Sequence, residues 1–515
     1  MKVAKSHKRK VLQGSASNLV RVLLSMLVSL VLPPFLVHRM APPEYSAWVL
    51  ILQLSNYVYM LDLGMQTAIG KFVAEYDAKG EREASHHLIS TSFTILTVTA
   101  AIGSAAIAVM VWSVPQLFHQ MPATLVPQVR MSLLAVGLST AVTLPFGVFL
   151  STFTGLQQYV FPTIVAVVGR VGTAAALIIL LLMHGGLVQL ALVYAGFNLA
   201  TAATQFFGWR RLVKTRVGFS FLFFHRRSAI QLAKYGSVMS IWTLAMFFVS
   251  GLDIVIVGHY QYKDTGFYAI ANAAANFMLT VVASVFGPLV PAVSSMQAGT
   301  TPGRIGDICI RMTRYCALLL CVLGLPLVFG GYPLLSLWVG KRYATQSAFY
   351  LEVLVLGNVA RQLVLPYILI VVATGKQHLA TIAAIAEAVV NIVVSIWLVQ
   401  RIGAVGVAVG TLIGAFVSFS VHLLVSMRLT QATILVSRGR FLMQGVLRPL
   451  LIIVPSLLLY PFWRKLNMLP APPAVLALWI VATAAVAWWV GLTAEDRQTG
   501  GVFLRRLLHR RVEQA

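Results

Sequence analysis

The sequence predicts an all-α, polytopic membrane protein of about fourteen transmembrane helices, in two pseudo-symmetric six-helix lobes plus two C-terminal helices. Three observations predict it. Apolar residues make up 59% of the 515 and charged residues only 10%, whereas a soluble domain carries roughly a quarter charged residues. Mean hydropathy is +0.85. The apolar residues gather into segments of about 20, the length of helix that crosses a bilayer of about 30 Å. Basic residues crowd alternate connections between those segments, as loops beside anionic cytoplasmic lipid do. A soluble enzyme, a disordered scaffold and a disulfide-stapled secreted module are thereby excluded.

The spans follow in order. Span 1 (18–38) comes after Lys2, Lys5, Lys8, Arg9 and Lys10 and ends in Leu32-Pro33-Pro34-Phe35. It lacks a small-x-small cleavage site, so it reads as a retained helix and not a removable signal. Span 2 (45–70) is long for one crossing and reads as tilted or extended into the cytoplasm. Spans 87–112, 126–150, 163–183 and 187–207 complete the first six. The second six are 231–256, 268–293, 311–333, 349–373, 379–399 and 404–426. Segments 446–463 and 473–492 close the set. With the N-terminus inside, 27 of the 39 basic residues fall in cytoplasmic segments and seven in outer loops; five lie in or beside spans. This bias fixes the orientation, returns the C-terminus to the cytoplasm, and accounts for the net charge of +25 without nucleic acid. Anionic lipid is the partner it implies, and Phe219 to Phe224 among six cations, like the arginine-faced tail 502–511, read as interfacial anchors.

An internal repeat sets the domains. Thr154-Gly155-Leu156-Gln157-Gln158 after span 4 matches Thr374-Gly375-Lys376-Gln377-His378 after span 10, an offset of 220. The same shift carries Gly186 onto Gly406 and Trp48 onto Tyr268. The division is a basic N-terminus (1–14), an N-lobe (15–208), a cytoplasmic linker (209–228) and a C-lobe (229–426). A cytoplasmic loop (427–447), the last two helices (448–492) and a basic tail (493–515) follow. Parallel repeats are a transporter architecture with the substrate site between halves. Pro33, Pro34, Gly64, Pro145, Gly155, Pro288, Pro291 and Pro366 are the positions at which spans would bend.

Several ordered motifs resemble the bacterial polysaccharide (O-antigen type) flippases of the multidrug/oligosaccharidyl-lipid/polysaccharide exporter superfamily. They are Pro42-Pro43-Glu44-Tyr45-Ser46-Ala47-Trp48, Leu61-Asp62-Leu63-Gly64 and Asp253-Ile254-Val255-Ile256-Val257-Gly258. Thr265-Gly266-Phe267-Tyr268, Pro288-Leu289-Val290-Pro291 and Gly403 to Thr411 continue the series, over about residues 15–426. The resemblance implies two six-helix lobes around a central cavity, in the bacterial inner membrane. It implies translocation of a polyprenyl-pyrophosphate-linked glycan by alternating access, for lipopolysaccharide O-antigen, capsule or exopolysaccharide. Polysaccharide polymerase and glycosyltransferases would be its partners.

Ionisable residues inside spans cost a few kcal/mol on insertion scales and mark functional candidates. Arg21, Arg170 and Arg361 are the candidates for binding pyrophosphate, since a planar guanidinium suits phosphate oxygens and stays charged. Asp62 and Glu387 would hold those arginines or carry a coupling proton. The structural alternative pairs Arg21 with Asp62 and Arg170 with Glu387. Asp253, Glu352, Arg130 and Lys234 read as boundary residues, and His184 and His422 lack a second ligand. Cys309, Cys316 and Cys321 share one apolar segment without metal spacing. No nucleotide-binding glycine motif appears and no cofactor or metal is expected, so the chain reads as a carrier and not an enzyme. The competing functions are an ion-coupled multidrug/cation antiporter of the same fold and a peptidoglycan lipid-precursor flippase.

Overall fold

Nine helices of the computed structural model are long and apolar enough to cross a membrane, among the described residues: 21–22, 24–213, 218–221, 223–296, 300–458, 481–492 and 497. They are Arg82–Leu117, Val126–Gly155, Val160–Leu182, Leu187–Leu212, Tyr262–Met296, Pro302–Phe329, Lys341–Ala373, Gln377–Ile402 and Ala404–Leu429. These coincide with expected spans 3–6 and 8–12. The basic N-terminus 1–14, Lys214 and Arg216 of the linker, residues 459–480 of the last two spans and the tail 502–511 lie outside the described residues. The chain forms two compact units, Met1–Ala269 and Ile270–Ala515.

The N-terminal unit begins with a short apolar helix, α1 (Leu24–Arg39). Next come α2 (Pro42–Asn56), a 3₁₀ turn (Tyr57–Asp62) and α3 (Met65–Lys79). Expected span 2 is therefore broken and not merely tilted. The cause is the Leu63-Gly64 step, where both residues adopt positive φ, 49° and 69°. Helices α4 (Arg82–Leu117), α5 (Val126–Thr143), α6 (Gly147–Gly155), α7 (Val160–Leu182) and α8 (Leu187–Leu212) follow. Pro145 separates α5 from α6, as a proline removes a helical donor. Then come α9 (Arg226–Ser250), α10 (Asp253–Tyr260) and the start of α11 (Thr265–Phe286). The first turn of α11 stays with this unit because Gly266 N donates to Ser46 Oγ at 3.1 Å and Tyr262 OH to the Pro43 carbonyl at 2.8 Å. Ser46 and Gly266 are 220 apart, so repeat-equivalent residues are bonded to one another.

An aromatic cluster fills the end of this unit where α4 begins and α8 ends. Phe93, Phe149, Phe153 and Trp209 are buried, with the Phe149 ring centroid 4.9 Å from both Phe206 and Trp209. Edge-to-face and tilted aromatic pairs contribute about 0.5–1.5 kcal/mol each beyond their buried area. Part of the linker belongs to this cluster. Phe219 lies 5.2 Å from Phe93, Ser220 N donates to Ser90 Oγ (3.0 Å) and His225 N to Thr91 Oγ1 (2.9 Å). Of the phenylalanines read as an interfacial anchor, Phe219 is a docking contact on α4, whereas Phe221 and Phe224 remain exposed.

The C-terminal unit holds the rest of α11, α12 (Leu289–Met296), α13 (Pro302–Phe329), α14 (Gly331–Val339), α15 (Lys341–Gln362) and α16 (Leu365–Ala373). After α17 (Gln377–Ile402), α18 (Ala404–Val421) widens into a π turn at His422–Ser426, and a second π turn spans Phe441–Leu447. Breaks recur by the repeat: Pro145 and Pro366 sit at matching kinks. Gln157 and Gly375, both of positive φ, end α6 and α16. Each ends in the same capping bond, Gln158 N to the Phe153 carbonyl (2.9 Å) and Lys376 N to the Val371 carbonyl (3.1 Å).

Helices α17 and α18 pack extensively against one another. Gly406, Gly410 and Gly414 form a small-residue stripe at a spacing of four, the pattern by which membrane helices pack where lipid removes the hydrophobic drive. A Cβ on Gly410 would stand 2.8 Å from Ser395 N and 2.9 Å from its Cα. Backbone cannot yield there as a flexible side chain would. Gly410→Ala is expected to lower the unfolding free energy in detergent by about 1–3 kcal/mol. Gly186→Ala, at a residue whose Cβ would meet nothing within 4 Å, serves as the control and is expected to change it much less.

Candidate functional site

The candidate residues divide between the units. In the C-terminal unit, Arg361 ends α15 and Glu387 lies in α17, facing it. Arg361 Nε donates to Glu387 Oε1 at 2.5 Å, and Nη1 donates to Asn358 Oδ1 at 3.1 Å. Glu387 is 1% exposed and the Arg361 side chain 15%. One charge-assisted hydrogen bond and one neutral acceptor thus serve the guanidinium, leaving Nη2 buried without an acceptor. The small stripe of α18 is why Glu387 is so deep: the Gly414 Cβ position is 3.1 Å from the Glu387 carbonyl. Asn391 continues the polar seam one turn on, accepting from Ser395 Oγ at 2.9 Å.

In the N-terminal unit, Arg170 lies on α7 and is exposed; its Nη2 donates to Ser29 Oγ of α1 at 3.2 Å. Arg21 is exposed just ahead of α1. Asp62 closes the 3₁₀ turn of span 2. Its Oδ2 accepts from Gln66 N at 3.4 Å, and its Oδ1 is buried without a hydrogen-bond partner. The pairing offered by the sequence is therefore corrected. Glu387 takes Arg361, its neighbour across the α15–α17 packing, and not Arg170. Asp62 pairs with no arginine among the described residues, because the break at Leu63-Gly64 turns it toward the first amides of α3.

Several polar residues that the sequence left aside have definite work. Arg130, read as a boundary residue, donates from Nε to the Val111 carbonyl (3.0 Å) and from Nη2 to the Trp112 carbonyl (2.9 Å). Pro115 lies inside α4 and carries no amide for Val111. The pairing of an in-span proline with an arginine on the next helix was a signal available in the sequence. At the α9–α10 break, Gln53 Nε2 and Tyr57 OH both donate to the Gly251 carbonyl, each at 2.7 Å. Asp253 is buried there and accepts from Tyr268 OH at 3.3 Å. Arg314 is buried in α13 and donates to the Gln444 carbonyl (3.0 Å) within the second π turn. The three cysteines are buried as free thiols, and among the described residues no group of three or more His, Cys, Asp or Glu is arranged to hold a metal ion.

Comparison with known proteins places this geometry in context. Residues 42–348 match the model of a family described as polysaccharide biosynthesis protein. No curated protein sequence gives a significant match. A solved structure of the lipid II flippase MurJ in an inward closed conformation superposes with a TM-score of 0.70 at 12% identity, over 92% of this chain and 99% of that one. An inward-facing multidrug resistance MATE family transporter of the MOP superfamily gives 0.64 at 12% identity, over 80% and 95%. The Vibrio cholerae MATE transporter VcmN, solved as a point mutant, gives 0.59 at 14%, over 84% and 99%. At such identities the likeness is one of fold.

The Arg361–Glu387 pair yields a stability prediction. Removing one partner of a buried pair strands the other charge and costs about 3–5 kcal/mol. Arg361→Ala and Glu387→Ala are each expected to lose about that much in denaturant unfolding, and the double variant distinctly less than their sum. Strictly additive losses would mean that the two side chains are not coupled.

Proposed function

The chain belongs to the polysaccharide biosynthesis protein family, and from that premise we propose that it flips a polyprenyl-pyrophosphate-linked oligosaccharide across the bacterial inner membrane by alternating access, with both termini in the cytoplasm. Family membership and the transporter fold shared with MurJ and MATE proteins support the coarser statement, a membrane transporter. One observation carries the finer one. Arg170 is a span residue whose guanidinium is held by a neutral hydroxyl, with no carboxylate paired to it among the described residues.

A guanidinium so placed serves an anion. It presents a planar fork of donors that matches two phosphoryl oxygens. Arg21, exposed near the cytoplasmic end of span 1, supplies a second cation in the same unit. Arg361 has a different part in this reading. Its charge is already paired with Glu387, so it braces α15 against α17, and its remaining Nη2 donor is buried. A cation antiporter calls for the opposite arrangement, accessible carboxylates with the arginines absent or paired.

Depleting the protein in its own host is expected to accumulate one complete polyprenyl-pyrophosphate-linked repeat unit, read by mass spectrometry, with loss of the matching surface polymer. Accumulation of the peptidoglycan lipid precursor would move the substrate to that class. An unchanged lipid-linked pool in a strain without a redundant flippase would overturn the reading. Arg170→Ala is expected to slow clearance of the pool about tenfold or more, since a hydrogen bond to a charged group is worth about 1.5–3 kcal/mol. Arg170→Lys is expected to fall between, because an ammonium offers charge without the fork.

A further inference from the structure

We propose that Asn272, Asn276, Thr280 and Ser284, one above another on α11, form a neutral binding ladder for the saccharide of a lipid-linked substrate. The proposal rests on the flippase reading and deepens it, since the cations of that reading account for the pyrophosphate and leave the sugar without a site.

The four residues recur at intervals of four along expected span 8. Each therefore lies about one turn beyond the last, and the row is about 18 Å long at helical rise. Taken round its axis, α11 has three faces. Ala271, Ala275, Met278, Val282 and Phe286 are buried and seat the helix in the protein. Phe277 and Val285 are exposed, with half-buried Val281 between them, and this apolar face suits lipid. Ile382, Ile385, Val389 and Val393 give α17 an exposed face of the same character. The third face of α11 is also exposed, yet it holds Asn276, Thr280, Ala283, Ser284 and Gly287, with Asn272 half-buried at its start. Polar side chains within a span turn to protein or to water, because hydrocarbon leaves them unsolvated. This face therefore lines water.

The hydrogen bonds of the ladder leave it open to a ligand. Among the described residues, its side chains bond only within α11. Asn276 Nδ2 donates to Asn272 Oδ1 at 3.1 Å, Thr280 Oγ1 to the Asn276 carbonyl at 2.9 Å and Ser284 Oγ to the Thr280 carbonyl at 2.7 Å. Both hydroxyl hydrogens are thus spent on the helix, which leaves the oxygens as acceptors. Asn276 keeps its Oδ1 acceptor and Asn272 its amide donors. Pro288 has no amide to give the Ser284 carbonyl, which adds an acceptor at the end of the row.

The chemistry of the row selects its occupant. Helix α11 carries no charged residue, so nothing on it selects a phosphate or an ammonium group. Its polar groups are spread along the axis and do not converge on one point, as the oxygen ligands of a metal ion do. A neutral molecule of many hydroxyls, each able to donate and to accept, matches such a row. The internal repeat supplies a second instance. The offset of 220 carries Asn276 onto Asn56, which is likewise exposed within span 2.

Two measurements on the full-length protein test the ladder. In proteoliposomes, Asn276→Cys, Thr280→Cys and Ser284→Cys are expected to react with a water-soluble maleimide, and Val281→Cys and Val285→Cys to stay unlabelled. The native thiols are buried, and wild type sets the background. A ladder that stays unlabelled lies in lipid, which overturns the proposal without any glycan. In detergent, native mass spectrometry compares polyprenyl-pyrophosphate-linked saccharides extracted from the host with bare polyprenyl pyrophosphate. Wild type is expected to prefer the saccharide-bearing lipid about tenfold or more, the worth of one or two neutral hydrogen bonds. Asn276→Leu combined with Thr280→Val is expected to erase that preference and to bind the bare lipid as wild type does, whereas Val285→Thr retains it. A preference that survives the double variant, or is missing from a wild type that binds the bare lipid, overturns the ladder and leaves the flippase reading standing. A wild type that binds neither lipid overturns both.

Discussion

Every backbone amide and carbonyl of a membrane protein has to find its partner inside the protein, because hydrocarbon offers none and an unmet group costs several kcal/mol. This chain breaks its helices often, so the constraint falls on side chains. The Val111 and Trp112 carbonyls beside Pro115 are taken by Arg130, the Gly251 carbonyl by Gln53 and Tyr57, and the Gln444 carbonyl of a π turn by Arg314. Arg438 Nη2 does the same for Leu424 in the other π turn, at 3.1 Å. Each of these arginines sits near the end of a span or in the loop 427–447, where its charged head is cheapest to place, and spends its donors on carbonyls that the irregular helices leave free.

The same constraint explains where the two repeats agree. Pro145 and Pro366 kink spans 4 and 10 at matched places, and Gln157 and Gly375 end them with the same left-handed turn. Spans 2 and 8 are also both interrupted, but by different chemistry. The first breaks at Asp62-Leu63-Gly64, the second at Gly287-Pro288, between α11 and α12. A shared fold has kept the interruption and only one repeat has put a carboxylate in it.

Composition and apolar periodicity made the fold class legible, and the 220-residue offset made its internal repetition legible. Packing detail was not. The length of span 2 and a bend at Gly64 were legible, whereas the positive φ of Leu63, which turns that bend into a break, is announced by no propensity. Phe219 looked like its exposed neighbours Phe221 and Phe224, and only docking on α4 distinguishes it. The α18 glycines were legible as a motif, whereas the depth they impose on Glu387 required the α17 backbone. For the candidate site, residue types were readable and pairings were not. Helical depth places Arg170 and Glu387 at similar levels, but a pair is decided by which helix lies alongside, and that is α15 with its Arg361.

That pairing sorts the intramembrane charges by the work left for them. In the C-terminal unit, Arg361 and Glu387 cancel one another and spend their hydrogen bonds on holding α15 to α17. In the N-terminal unit, Arg170 is held by a hydroxyl and Asp62 by a long amide bond, with no ion pair between them. A charge consumed by structure cannot also bind and release a ligand without breaking that structure, at a cost of several kcal/mol per cycle. Charges held so lightly can change partners within the few kcal/mol that separate conformational states. In the mechanism proposed above, the ionisable chemistry of transport therefore falls to the N-terminal unit, and the C-terminal pair keeps its own helices together while that chemistry turns over.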